Sequence, residues 1–323
     1  MQQTKLPLVS VIILTHNSKQ YLLALFFSLQ QQTYKNLEII VVDSASTDDT
    51  VVWLKQQNIL SNIKIITCAE NIWFAKGNNL GAQAAKGDYL LFSNDDIVLE
   101  CNYIELLVQL LQKNHKIGMI SGKLLKLING KPSGIIDSTG LVINHYRKVI
   151  NRGENELDRQ QFEQAGELFG VTGALMMVSK LALNNILEAG QFFDEDFVAY
   201  KEDIDVSWRM QRASWQVYYS PTAIAYHART VQQQNLSERK SRATIVKKYS
   251  YRNHIWLLIK NEYWRDFLRD GVFIIGYEII KLVYICLKEP ATLKCLPQLL
   301  SQIKHIWHKR KLLPKQSLGL WIQ

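Results

Sequence analysis

An α/β fold, with a mainly parallel sheet covered by helices on both faces, is what this 323-residue sequence predicts. Two observations carry the prediction. Over the first 125 residues, short runs rich in Val and Ile alternate with longer stretches of helical spacing. Polar clusters follow three of the apolar runs, as they do where parallel strands end together at one edge of a sheet.

Taken in order, residues 9–14 form a first buried strand, too short to be the apolar core of a signal peptide. A helix over 21–31 comes next, with Ser18 as its N-cap. The strand 37–43 leads to a helix over 48–57 capped by Asp48. Strand 63–68, helix 77–86, strand 89–94, helix 103–113 and strand 117–125 complete the alternation. Beyond Leu125 the turn signals Asn129-Gly130 and Ser138-Thr139-Gly140 predict a hairpin or loop excursion to about Gly166. Residues 171–179 read as a further strand. Residues 202–213 read as a helix with Val206, Met210 and Ala213 on one side. Residues 217–220 read as a short strand ended by Pro221.

Composition bounds the reading. A hydrophobic content of 47% with 21% charged residues describes a globular chain with a substantial core. Four cysteines, Cys68, Cys101, Cys286 and Cys295, form no CxxC pair, which argues against a zinc knuckle or disulfide framework and fits a reducing, cytoplasmic setting. The net charge of +9 is uneven: residues 230–323 hold 17 Lys/Arg against 6 Asp/Glu, while residues 1–229 are close to neutral. The chain is therefore expected to divide into a catalytic domain over 1–229 and a basic helical region over 230–323. The excess charge makes an anionic phospholipid surface the expected partner; nucleic acid, the other class such charge permits, is not expected. The most apolar segment, 271–287, contains Glu278 and Lys281 and falls short of the roughly 20 apolar residues of a spanning helix. On a helical wheel Glu262, Asp266, Arg269, Asp270, Lys281 and Lys288 share a face. That predicts a helix lying in a membrane interface, or an amphipathic helix packed on the catalytic domain.

The chemistry-bearing residues gather where the strands end. Thr15-His16-Asn17-Ser18 follows the first strand, Asp43 to Asp49 the second, and Ser93-Asn94-Asp95-Asp96 the fourth. Asp43 suits a hydrogen bond to a base or ribose, or a cap on its own loop. Carboxylates at 95 and 96 suit Mg²⁺ or Mn²⁺ beside substrate phosphates, or simple solvation. The cluster Glu202-Asp203-Ile204-Asp205 suits a general base, a metal site, a helix start or a solvated turn. Neither a GxGxxG turn nor a GxxxxGK[ST] loop is present, which removes support for dinucleotide-fold and P-loop chemistry.

In register, these pieces resemble family 2 glycosyltransferases. The resemblance runs through Val9 to Asn17, Val42 to Asp48, Asn71 with Phe74-Ala75, Asn78-Asn79 and Gly81, then Asn94-Asp95-Asp96, Val171 to Met176, and Phe193 through Asp205 to Arg209, Pro221 and His227. It covers residues 7–230, and the basic tail is similar to that of rhamnosyltransferase-like members. It implies a GT-A fold and inverting transfer from a nucleotide-diphospho-sugar, dTDP-rhamnose or a UDP-hexose, onto a glycan or lipid-linked acceptor at the cytoplasmic face of a membrane. By the same resemblance Asp203 is the catalytic base, and Asp96 and His227 are metal ligands for Mg²⁺ or Mn²⁺. Thr15, Asn17, Asp43, Asn79, Asn94, Asp95, Gly173 and Ala174 belong to the donor side. Glu202 and Arg209 are supporting or acceptor-side residues. Trp73 departs from the family pattern, which has glycine there. A sugar nucleotidyltransferase, and a non-catalytic membrane-binding protein on a dead GT-A fold, are the alternative readings. The first lacks the glycine-rich, Lys/Arg-bearing phosphate loop it needs, and the second gives Asp203 nothing to do.

Overall fold

The computed structural model describes residues 6–229, 236–314, 316–318 and 321. Its first part alternates strand and helix: β1 (Val9–Thr15), α1 (Lys19–Gln30), β2 (Leu37–Asp43), α2 (Thr50–Gln56), β3 (Ile63–Thr67), α3 (Trp73–Ala84), β4 (Tyr89–Asn94), β5 (Ile97–Leu99) and α4 (Tyr103–Lys113). The hairpin β6 (Ile117–Ile128) and β7 (Lys131–Ser138) comes after α4, turning at Asn129-Gly130. A small ribbon of β8 (Leu141–Ile143) and β9 (Val149–Asn151) is next. Then come β10 (Gly166–Glu167), β11 (Leu175–Ser179), α5 (Lys180–Asn185), a single 3-10 turn at Glu195–Phe197, α6 (Glu202–Arg212) and β12 (Gln216–His227). The chain closes with α7 (Leu236–Asn261), α8 (Trp264–Lys288), a 3-10 stretch at Pro290–Cys295, α9 (Leu296–Ser301) and α10 (Ile303–Leu312).

The main sheet runs β10-β12-β6-β11-β4-β1-β2-β3, with β5 added to β12 and β7 to β6. Strands β4, β1, β2 and β3 are parallel, whereas β11 enters antiparallel to both β4 and β6. Because successive side chains point to opposite faces, β1 splits its apolar residues between two cores. Val9, Val11 and Ile13 join α1 and α4 on one face; Ile12 joins Ile40, Val42, α3 and α6 on the other. Each such side chain contributes about 1.5–3 kcal/mol when fully buried, so the central strand anchors both layers.

Several sequence expectations are adjusted by packing. Helix α3 begins at Trp73 rather than residue 77, and α2 is preceded by Asp49, while the Asp48 carboxylate accepts from the Thr50 amide at 3.0 Å. Ser18 holds the cap position of α1, but its hydroxyl donates to the His16 carbonyl instead. The last strand does not end at Pro221. It continues to His227 through a register shift between Ser220 and Ile224, which takes the proline, with no N–H to give, out of the ladder. Gly122 on β6 makes that irregularity possible, because a Cβ there would lie 1.9 Å from the Ala223 carbonyl oxygen.

The carboxyl-terminal helices share a core with the sheet-bearing part. Trp256, Leu257, Leu299 and Ile306 pack with Leu141, Phe169, Phe197 and Trp208 in one buried cluster. Buried charge reinforces the join. Arg147, at the tip of the β8–β9 ribbon, donates to both oxygens of Glu262 at 2.7 and 2.8 Å and lies 3.0 Å from Asp270. No described helix is long and apolar enough to cross a membrane.

Candidate active site

Register places the strand-end residues in one row. Thr15 on β1 is opposite Asp43 on β2, Leu14 is opposite Asn94 on β4, and the Asn94 amide donates to the Ala174 carbonyl at 2.9 Å just before β11. Since β11 runs antiparallel to β4, its amino-terminal end meets the carboxyl ends of the parallel strands. From β2 to β11 the row spans three inter-strand gaps, about 14 Å. Gly173 then links the row to α6: its amide donates to Asp203 Oδ2 at 3.0 Å.

At the β2 end, the buried Asp43 carboxylate accepts from the Ser46 amide at 3.0 Å and from the Ser46 hydroxyl. Asn17, with φ of 55°, bridges the first two strand-end loops through its Oδ1, which accepts from the Thr47 amide at 2.7 Å. Beside this bridge lies an open depression of about 400 Å³ lined by Asn17, Lys19, Gln20, Asp48 and Asp49. In mid-row, burial and the charge of Asp96 push the Asp95 carboxyl up to about 7, while the Ser18 and Thr15 hydroxyls act against that rise.

Asp96 faces His227 from the end of β12, with Oδ1 3.2 Å from Nε2. The other ring nitrogen, Nδ1, is 2.8 Å from Asp137 on β7, and Asp137 also accepts from Arg229 Nε at 2.7 Å. Burial lowers the pKa of His227, but its bonds to Asp137 and Asp96 outweigh that and raise it to about 9. A divalent ion held here would have to take the place of the Nε2 proton, between one carboxylate and one imidazole that face each other, with a second carboxylate orienting the imidazole from behind. The buried trio Glu188, Asp194 and Asp205 is also close enough to hold a cation. It already has one: the Lys260 ammonium lies 2.5, 2.6 and 3.0 Å from the three.

At the α6 end, Asp203 receives the amides of Gly173 and Ile204, the latter at 2.8 Å on Oδ1. Burial raises its pKa above the ordinary carboxylate range, and the two amides and the Lys201 charge only partly offset this. A Cβ on Gly173 would sit 3.3 Å from that of Asp203, so the glycine sets how closely α6 approaches. Glu202 is buried, with Oε2 unpaired, and burial together with Asp203 holds its pKa well above normal. Arg209 is turned inward, donating to Asp205 Oδ2 at 2.8 Å, the Ile186 carbonyl at 2.6 Å and the Phe192 carbonyl. The Asn79 amide is likewise occupied, donating to the Phe193 carbonyl at 2.8 Å and accepting from the Phe193 amide at 2.9 Å.

The loop before α6 has an unusual backbone. Val198, Tyr200 and Lys201 have φ of 64°, 71° and 71°, a region costly for residues other than glycine. It is held from α7: Asn253 Nδ2 lies 2.9, 2.9 and 2.7 Å from the Phe197, Ala199 and Tyr200 carbonyls. Arg252 reaches the Asp196 and Phe197 carbonyls at 3.0 and 3.1 Å. These residues, and Asp137, carry no motif in the sequence, since their roles arise from contacts across 50 to 90 residues.

Residues 10–187 match the model of glycosyl transferase family 2. The chain belongs to this family. An uncharacterized glycosyltransferase of Haemophilus influenzae is 38% identical over 133 residues, which is 41% of each chain. The Escherichia coli UDP-Glc:alpha-D-GlcNAc-diphosphoundecaprenol beta-1,3-glucosyltransferase WfaP is 40% identical over 96 residues, 28% of this chain and 36% of the other. The chain thus spans about two-fifths of the length of these curated relatives. Among solved structures, GalNAc-T7 with UDP, GalNAc and Mn²⁺ superposes with a TM-score of 0.60 at 15% identity, covering 81% of this chain and 49% of that one. That likeness establishes the GT-A fold of this family 2 member.

Proposed function

We propose that this family 2 member is an inverting glycosyltransferase that moves a hexose from a UDP-sugar to a lipid-linked glycan acceptor in bacterial surface-polysaccharide synthesis. The single row from Asp43 through Asn94 and Gly173 to Asp203 supports this reading. The nucleoside would lie at the Asp43 end, with Thr15, Asn17 and Asp95 beside it. The sugar would lie over Gly173-Ala174. A Mg²⁺ or Mn²⁺ ion held by Asp96 and His227 would supply positive charge for the departing diphosphate. Asp203 accepts the proton of the acceptor hydroxyl as that oxygen attacks the anomeric carbon, and its raised pKa brings it nearer the operating pH of a general base. The names of WfaP and GalNAc-T7 favour UDP and a diphospholipid acceptor; dTDP-rhamnose is the other donor to test. With a lipid-borne acceptor the reaction would take place at a membrane, and the proposal assigns it to the cytoplasmic face of an anionic one.

The test is donor turnover together with donor binding. Asp203→Asn is expected to keep UDP binding in a thermal-shift assay with Mn²⁺ and to lose about 10²–10⁴-fold in transfer. Asp96→Ala is expected to lose the Mn²⁺-dependent part of that thermal shift. Unchanged turnover by Asp203→Asn would overturn the base assignment, and a Mn²⁺ response surviving in Asp96→Ala would overturn the metal assignment.

A further inference from the structure

Helix α8 is oriented opposite to a surface helix of a water-soluble protein. Its inward face carries Asp266, Asp270, Ile274, Glu278, Lys281 and Ile285, spaced at helical intervals. The charged members of that face are consumed inside. Asp270 meets His145 and Arg147, Asp266 accepts from the Leu318 amide, and Glu278 lies 2.6 Å from His254. The outward face carries Leu268, Val272, Ile275, Ile279, Val283 and Leu287, each at least half exposed, with Val272 at 85%. Of the 29 exposed large apolar residues among those described, 12 lie on this one helix, so the exposure is a patch and not scatter.

The surrounding charge has one sign. Across residues 264–312 the exposed charged side chains are Arg265, Arg269, Lys288, Lys294, Lys304 and Lys311. Every acid in that span is buried or half-buried and paired. Trp264 and Tyr284 on α8, and Trp307 on α10, add exposed amphipathic aromatics. At 25 residues the helix is about 37 Å long, and its inward salt bridges exclude a spanning orientation.

We infer that α8 lies flat in the headgroup region of an anionic phospholipid bilayer, its Leu268–Leu287 stripe in the acyl boundary and its flanking Lys/Arg on lipid phosphates. Apolar burial and attraction to anionic lipid are the two terms that hold such a helix. A second copy is the disfavoured occupant, because a two-fold contact would set this all-basic patch against itself. The inference deepens the proposed use of a membrane-borne acceptor: the same α8 whose outer face meets lipid presents Glu278 and Lys281 on the side where His254 and Lys201 lie.

The test uses the full chain and vesicles of phosphatidylcholine with or without phosphatidylglycerol. The protein is expected to float with the anionic vesicles, with binding weakened by high salt. Val272→Glu combined with Ile279→Glu, both at exposed positions, is expected to lower binding at least ten-fold while leaving the thermal midpoint and UDP binding unchanged. Equal binding by that variant, or no flotation of the parent, would overturn the proposal. So would a parent dimer that the double variant converts to monomer without either binding lipid. Vesicle binding without any nucleotide-sugar turnover would instead overturn the enzymatic reading and leave the docking surface standing.

Discussion

Gly173 shows how much of the site turns on single atoms. Its amide holds Asp203, and its missing Cβ leaves room for both the Asp203 Cβ and the Phe74 ring. Gly173→Ala would force shifts of a few tenths of an ångström. Since a 1 Å misplacement can cost about 10² in rate, roughly a 3–10-fold fall in kcat is expected with UDP affinity unchanged. Steady-state kinetics beside a UDP titration would check it. Trp73 is the reverse case. The sequence marks it as a departure from a family glycine, and the structure supplies the physical reason glycine suits the position: φ there is +59°. The indole is 43% exposed and edge-on to Tyr249. The residue type was legible, but its left-handed backbone was not, because nothing local in the sequence specifies φ.

At the scale of elements, the strands β1 to β4 of the parallel half were legible to within a residue, while the helix bounds and the short β5 were not. Strands such as β2 and β4 are continuous apolar runs, and a run buried on both faces has one reading when it alternates with helices. The part beyond Leu125 was harder to read, since β11 takes its place between β4 and β6 by long-range pairing. The positioning loop 196–201 was invisible because its partners come from α7. Asn253 is fully buried and holds three carbonyls of a segment with three positive-φ residues. Strain of about 1–3 kcal/mol per residue persists only where surroundings enforce it. Asn253→Ala is therefore expected to slow transfer at least ten-fold while donor KM holds, with faster hydrogen exchange over residues 196–201. Normal exchange there would show that the loop does not need the clamp.

On the scale of the molecule, Lys260 joins α7 to α6 and to the Glu188 and Asp194 segments. Burial would raise the carboxyls of Asp194 and Asp205, but the Lys260 charge, with Lys309 at Asp194 and Arg209 at Asp205, depresses both. Groups depressed in the folded state stabilise it above their unfolded pKa, near 4, and lose that contribution as pH falls through the folded values. His254, lowered to about 4 by burial despite Glu278, adds a loss between about 6.5 and 4. Asp95, Glu202 and Asp203, whose carboxyls are raised in the folded state, act the other way between about pH 7 and 4, so the urea midpoint is expected to fall most steeply below about pH 4. Lys260→Met should cost about 3–5 kcal/mol at pH 7 by leaving buried carboxylates unpaired, and its midpoint should vary less with acid. The sequence assigns the +11 excess of the last 94 residues to an anionic partner, yet Lys260, Arg252 and Lys309 spend their charge inside.

The order in which the chain lays down its site has a practical corollary. Thr15, Asn17, Asp43 and Asp96 all precede residue 97, whereas Asp137, Gly173, Asp203 and His227 all lie after the short link between α4 and β6. On the proposed reading, a chimaera of two homologues joined at Asn114–Lys116 is expected to take its nucleoside contacts from one parent, and its sugar and acceptor contacts from the other. The Asp96–His227 contact is the compatibility that both parents would have to share.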